Sequence, residues 1–295
     1  MAKFPRTILI TSTGLVGGNI LRVCKNEGLD VVETYYPTID LPVGYPVDIT
    51  DNSSLEKVFT KSDPEIIILN AALTNVEFCE EHQDVARKIN VQGTANVIKF
   101  CKKVGAKLVF FSSDYVFDGE NGPYSEDDKT DPVCFYGQTK LEAETLIRQE
   151  LRNFLIIRTT VVYGFEKLGK NFCYRLINTL KQGKTIKVPE DQIGSPTYAL
   201  NLVEVVVDLL KKDRNGLYNV VGRDLIDRYR FSLAVCSEFG LNKELVIPVK
   251  TQDLKQKAPR PLRAGLKIDK VLRETEVAIL DVKESLAKFR KEING

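Results

Sequence analysis

The stretch Thr7-Ile8-Leu9-Ile10-Thr11-Ser12-Thr13-Gly14-Leu15-Val16-Gly17-Gly18 decides the fold. Thr7–Ile10 is a short β-branched and aliphatic run of strand length, and helical spacing resumes near Asn19–Asn26. A glycine turn between a strand and a helix lets the backbone come close to a pyrophosphate, and the helix N-terminus favours its charge. Thr13, Gly14, Leu15, Val16 and Gly17 are the cofactor candidates of this turn. An ordinary strand-to-helix turn has a similar composition. What favours the dinucleotide reading is the context of strand, turn and helix near the N-terminus. The usual turn has three glycines, and Thr11 takes the place of the first.

Working outward, the same alternation continues. Asp30–Tyr35, Glu65–Leu69, Lys107–Phe111 and Phe154–Val162 read as strands, and the second of these is almost wholly apolar, as a strand buried on both faces requires. Ser53–Thr60, Asp84–Val104 and Tyr136–Leu151 read as helices between them. The expected fold class is α/β: a doubly wound parallel sheet, Rossmann-like, with a smaller C-terminal substrate lobe. The expected division is 1–165 for dinucleotide binding, with returning segments near 193–222, and 166–295 mainly for the smaller lobe. In that lobe, helices are expected at Asn171–Gln182, Tyr198–Lys211, Phe231–Phe239 and Asp281–Lys291. Short strands are expected at Thr185–Val188, Leu217–Val221 and Leu245–Val249.

Bulk composition excludes several classes. Forty-two basic residues against forty acidic ones leave a net charge of +2, too balanced for a nucleic-acid footprint. There is one histidine, His82, and none of the six cysteines forms a Cys-x-x-Cys pair. No metal is therefore expected in the chemistry. No long apolar run suggests a signal peptide or a membrane span, so the expected location is the cytoplasm.

The chemistry is expected at the end of the Lys107–Phe111 strand, in Ser112-Ser113-Asp114-Tyr115, because open parallel sheets bind ligands at the carboxyl ends of their strands. Downstream, Tyr136-Gly137-Gln138-Thr139-Lys140 opens a helix. Residues four apart share a helix face, so Lys140 would stand beside the Tyr136 phenol and lower its pKa from about 10. That would make the tyrosine a proton donor and acceptor near neutral pH, with Ser113 polarising the same carbonyl oxygen. Tyrosine and lysine at this spacing are common on ordinary helices. The serine at a strand end and the glycine turn upstream make the set specific. Asp48 and Ile49 follow a later turn, where the aspartate either accepts from an adenine amine or caps its turn. Thr34 lies at the end of the second strand, where Glu33-Thr34-Tyr35-Tyr36 leaves NAD against NADP open.

Four stretches carry a family resemblance: Ser112–Gly119, Tyr136–Glu144, Asp191-Gln192-Ile193-Gly194-Ser195-Pro196-Thr197, and Arg260-Pro261 with Leu266–Asp269. On these the chain resembles the dTDP-4-dehydrorhamnose reductases, a branch of the extended short-chain dehydrogenases. The resemblance implies Tyr136 as proton donor, Lys140 as the residue that tunes it and holds the nicotinamide ribose, and Ser113 at the carbonyl. It also implies Ala71, Ala72 and Thr74 along the cofactor and Asn90 as support for the active-site helix. Asp114 would touch the sugar, Gln192 would either lie near the substrate or only stabilise its loop, and Arg260 would hold a diphosphate, the alternative being an exposed arginine on a Pro-bounded loop. It favours NADP(H), with NAD(H) as the alternative, and a nucleotide-sugar substrate. A homodimer through an exposed helix pair is compatible with it. Asn70 departs from the family pattern, and Val161 stands where the rhamnose enzymes often carry tryptophan. Another keto-sugar reductase or epimerase is a close variant. A different class is a non-catalytic NADP-binding regulatory subunit, resembling the β subunit of methionine adenosyltransferase.

Overall fold

The computed structural model describes residues 7–10, 13–38, 44–166 and 169–294. The Thr11 departure lies outside the described residues. In chain order the first half comprises β1 (Thr7–Ile10), α1 (Leu15–Asn26), β2 (Val31–Tyr35), β3 (Tyr45–Pro46), α2 (Asn52–Ser62) and β4 (Ile66–Leu69). Then come α3 (Val76–Glu81), α4 (Gln83–Arg87), a π turn (Lys88–Gln92), α5 (Gly93–Val104), β5 (Lys107–Ser113), α6 (Phe135–Glu150) and β6 (Phe154–Thr159). The second half comprises β7 (Val162–Tyr163), α7 (Phe172–Lys181), β8 (Ile186–Pro189), β9 (Ile193–Gly194), β10 (Thr197–Tyr198) and α8 (Ala199–Lys211). It ends with β11 (Gly216–Asn219), β12 (Ile226–Asp227), α9 (Arg228–Phe239), β13 (Val246–Val249), α10 (Asp269–Glu274) and α11 (Val282–Asn294).

Seven strands form one sheet in the order β11-β6-β5-β4-β1-β2-β3, and every neighbouring pair is parallel. The order reverses between β1 and β4, which opens a crevice at their carboxyl ends, where doubly wound folds bind ligands. All four residues of β4 and all seven of β5 are buried, because helices cover both faces of the sheet. Ile68, Val109, Leu155 and Ile157 face one layer with α1 and α8. Ile67, Leu108, Phe110 and Ile156 face the other, with α2, α5 and α6. Each such side chain contributes roughly 1.5–3 kcal/mol by leaving water.

The lobe has its own apolar centre. Tyr163, Phe231 and Phe289 meet there, with the Tyr163 ring 5.1 Å and 5.8 Å from the other two. β8 and β13 pair in parallel beside it, and the short pairs β10–β7 and β12–β9 lie between lobe and sheet. Tyr198 donates to Glu292 at 2.8 Å, and Glu292 also pairs with Arg22 of α1, so one carboxylate joins the lobe to the first helix.

Three differences from the sequence reading have physical causes. The helix expected over Asp84–Val104 is broken by the π turn, whose extra residue turns Asn90 inward. The strand expected over Phe154–Val162 ends at Thr159, because Val161 adopts a φ of +43° and reverses the chain before β7. Two short helices, α3 and α10, lie in segments read as loop.

Candidate active site

The site is assembled where β5, β6 and α6 meet. Ser113 is the last residue of β5, and Asp114 opens a single 3-10 turn, Asp114–Val116. The Ser113 hydroxyl donates to Asp114 Oδ1 at 3.0 Å and accepts from the Tyr115 N–H at 3.3 Å. Asp114 is buried and also hydrogen-bonded with the Thr160 side chain.

Helix α6 has no capping side chain of its own. Glu80, on α3, accepts from the Phe135 N–H at 2.9 Å and satisfies one of the four orphan donors at the helix start. Gly137 lets α6 close on the preceding turn, since a Cβ there would collide with the Tyr115 carbonyl oxygen. Asn90 then ties the helix to the loop after β4. Its amide donates to Thr139 Oγ1 at 3.0 Å and to the Leu73 carbonyl at 3.1 Å, and its carbonyl accepts from the Leu73 N–H at 2.8 Å.

Tyr136 and Lys140 are both buried on the inner face of α6. The Tyr136 ring meets Tyr115 edge-on at 5.6 Å. The Lys140 ammonium sits 4.3 Å from the centroid of the Phe110 ring. Burial raises the Tyr136 phenol above its ordinary value, with the Asp114 charge adding to it and the Ser113 hydroxyl opposing it. Burial lowers Lys140 to about 8, opposed by Glu144. The expected depression of the phenol by Lys140 is therefore corrected: the ammonium rests on Phe110, and desolvation dominates at the phenol. Tyr136 is accordingly a proton donor at neutral pH. Burial also raises Asp114 to about 6, against the hydrogen bonds from Thr160 and Ser113 and the charge of Arg228.

Outside this centre opens a narrow cleft lined by Asp114, Tyr115, Thr160, Val161, Gln192 and Arg228 among others. Gln192 donates to Thr251 Oγ1 at 3.1 Å. Val161 is a β-branched residue in the left-handed region, a conformation that costs about 1–3 kcal/mol and collects at functional sites. Arg260 is not an exposed loop arginine. Its side chain is 8% exposed, pairs with Glu77 at 2.5 Å and donates to the Ala258 carbonyl at 3.2 Å. Sequence reasoning missed Glu80, Thr160 and Arg228. The first two act through contacts made only in the fold, and Arg228 is brought in from a distant helix.

The remaining candidates line the crevice at the carboxyl ends of β1, β2 and β4. Gly14 caps α1 without a side-chain acceptor, and the first turn has no acidic residue, which leaves its N–H groups for an anion. A Cβ at Gly14 would meet nothing within 4 Å, so there is room for a ligand group beside it. Thr13, Leu15 and Val16 are half-buried and Gly17 is buried. These features fit a dinucleotide pyrophosphate. Thr34 is buried in β2, and the neighbouring Glu33 pairs with Lys25 at 2.7 Å. Asp48 Oδ1 accepts from the Thr50 N–H and hydroxyl, both at 2.8 Å, so it serves its own turn at least in part. Ile49 is buried, and its carbonyl accepts from Asn96 at 3.1 Å. Ala71 and Ala72 are half-buried and Thr74 is exposed in the loop after β4.

Comparison with known proteins follows this geometry. A family model described as RmlD substrate binding domain matches residues 6–294. The chain is 32% identical over 287 residues to the spore coat polysaccharide biosynthesis protein SpsK of Bacillus subtilis, covering 97% of each. It is 28% identical over 269 residues to methionine adenosyltransferase 2 subunit beta of Bos taurus, covering 88% of this chain and 80% of that one. A crystal structure of dTDP-4-dehydrorhamnose reductase from Bacillus anthracis in complex with NADP matches with a TM-score of 0.90 at 29% identity. That match covers 98% of this chain and 99% of the other.

Proposed function

The chain belongs to the RmlD substrate binding domain family, and from that membership we propose that it is an NADP(H)-dependent oxidoreductase. Its reaction is reduction of the 4-keto group of a nucleotide-activated 6-deoxysugar, the chemistry of a dTDP-4-dehydrorhamnose reductase. The observation that carries the reading is the placement of Ser113 at the end of β5 with Tyr136 and Lys140 buried together on the inner face of α6. NADP(H) is preferred to NAD(H), in line with the NADP complex of the Bacillus anthracis relative. The pyrophosphate would rest on the first turn of α1, with Ala71, Ala72 and Thr74 along the cofactor. The larger N-terminal part, 1–165, serves the cofactor, and 166–295 mainly the sugar nucleotide.

When bound, the nicotinamide supplies a hydride. Tyr136 gives its proton to the carbonyl oxygen, while the Ser113 hydroxyl turns from Asp114 Oδ1 to donate to the same oxygen and polarise it. Lys140, one helical turn from Tyr136 and charged below about 8, would hold the nicotinamide ribose. Asp114 accepts from a sugar hydroxyl, and Asn90 keeps α6 in register through Thr139.

The likeness to a methionine adenosyltransferase β subunit sustains a second reading, a cofactor-binding regulatory subunit. One assay separates the two: NADPH oxidation with dTDP-4-dehydrorhamnose, in the wild type and in Tyr136→Phe. The reductase reading expects turnover in the wild type and a loss of about 10²–10⁴-fold in the variant, with NADPH still bound. NADPH binding without turnover in the wild type, together with capture of a methionine adenosyltransferase catalytic subunit, would replace it with the regulatory reading.

A further inference from the structure

The resemblance to the reductases puts a substrate diphosphate on Arg260, but the fold spends that side chain elsewhere. Its guanidinium is 8% exposed, with one nitrogen on the Glu77 carboxylate at 2.5 Å and another on the Ala258 carbonyl. Breaking such a pair to free the fork would leave Glu77 without its cation. Arg228 is in the opposite condition. It lines the same cleft and is half-buried. Among the described residues its side chain forms no ion pair. Its guanidinium carbon sits over the Phe172 ring, 5.3 Å from the centroid. A cation held over a ring face keeps its N–H donors available for a two-point anion contact. The backbone is fixed as well: the Arg228 N–H donates to the Gln192 carbonyl at 3.0 Å, and Asp227 caps the helix through the Arg230 N–H.

The reach of the two charges differs in the same sense. Arg228 acts on Asp114 and Tyr115, at the reacting end of the cleft, and on Cys173 in the core of the lobe. Arg260 acts on Tyr115 and on Cys134, behind the cleft wall.

We propose that Arg228, and not Arg260, binds the diphosphate of the nucleotide sugar. This rests on the nucleotide-sugar reading of the site and adds a substrate-binding residue to it. Arg260 becomes a positioning residue, holding the Pro261 segment against α3 through Glu77. Gly119 explains why that segment must be held: a Cβ at Gly119 would collide with the Pro261 backbone, so the two loops close without slack.

The test is calorimetric binding of dTDP, UDP and GDP to the wild type, Arg228→Gln, Arg228→Lys and Arg260→Gln, with NADPH binding measured in parallel. Losing a charged two-point contact weakens binding by roughly ten- to a hundredfold. That loss is expected in Arg228→Gln for whichever nucleotide the wild type binds. Arg228→Lys should recover part of it, and NADPH affinity should be unchanged. In turnover, Arg228→Gln should raise KM for the nucleotide sugar with kcat within about threefold, the sign of uniform binding. Arg260→Gln should lower the melting temperature and leave diphosphate affinity within about threefold. Nucleotide binding within threefold of wild type in Arg228→Gln, or a larger loss in Arg260→Gln, would overturn the assignment while leaving the reductase reading intact. A wild type that binds none of the three nucleotides would overturn that reading and this assignment with it.

Discussion

Lys140 and Glu144 stand one turn apart on α6, both buried, and the protein treats them in opposite ways. Glu144 takes both of its oxygens to Arg158, at 3.0 Å and 2.7 Å. Arg158 completes its set with the Glu126 carbonyl at 3.3 Å and rests 5.0 Å from the centroid of the Phe117 ring. That pair is a closed structural unit between α6 and β6. Among the described residues Lys140 rests on the face of Phe110, and burial pulls it down to about 8 against the charges of Glu144 and Cys79. Asp114, at the other side of the site, is likewise raised to about 6 by burial. The difference is instructive: where charge holds the fold it is fully compensated, and where it is to meet a substrate it is left partly uncompensated, at a cost in stability.

The largest expected effect tests the structural half. Glu144→Ala leaves the Arg158 guanidinium buried without its carboxylate, a loss of roughly 3–5 kcal/mol. Chemical denaturation should show it. A loss under about 1 kcal/mol would mean that the pair is not the closed unit described. A double replacement, Glu144→Leu with Arg158→Met, should recover most of the loss, because both charges then leave together.

The reactive half is next. The folded-state pKa of Asp114 lies above its unfolded value of 3.8. Between these values the native state keeps a proton that the unfolded chain has lost, so stability falls as pH rises through about 6. The two units of separation set this at about 3 kcal/mol between pH 4 and pH 7. Asp114→Asn should remove that slope in paired denaturation curves at the two pH values, and should lower turnover. An unchanged slope would place the titrating group elsewhere. A smaller change is expected at the strained corner. Val161→Gly relieves the left-handed φ while losing a partly buried side chain, and the two should cancel to within about 1 kcal/mol of the wild-type melting stability. A loss well beyond that would show that the side chain packs more tightly than the strain costs.

How much of this was legible in the sequence follows from what sets each feature. β4 is a continuous apolar run and β1 and β5 are apolar between their ends, as a parallel sheet between two helix layers requires, so strands and fold class can be read directly. The pairing of Ser113 with Tyr136 and Lys140 was legible because one lies at a strand end and the others repeat at helix spacing. Spacing does not report direction, however. It puts Lys140 on the face of Tyr136 but does not show the ammonium turned onto Phe110, which is why the expected sign of the phenol shift was wrong. The π turn around Asn90 depends on Leu73 and Thr139, partners from two other elements, and has no periodicity of its own. Arg228 carries no motif at all. Its place in the cleft is decided by the β12–β9 pairing that brings the start of α9 beside Gln192.

The comparison of the two charges on α6 reduces to one measurement: melting and turnover of Lys140→Met side by side at pH 7. Below about 8 the folded protein carries a lysine charge that burial opposes. Its removal should raise stability by about 1–3 kcal/mol, and the gain should shrink as pH climbs toward 10.5, where the unfolded chain also loses that proton. Turnover with dTDP-4-dehydrorhamnose should fall by at least about a hundredfold. A more stable and inactive variant is the predicted result. A variant that melts earlier at pH 7, or one that keeps its turnover, would contradict the claim that this site holds its reactive charge at the expense of the fold.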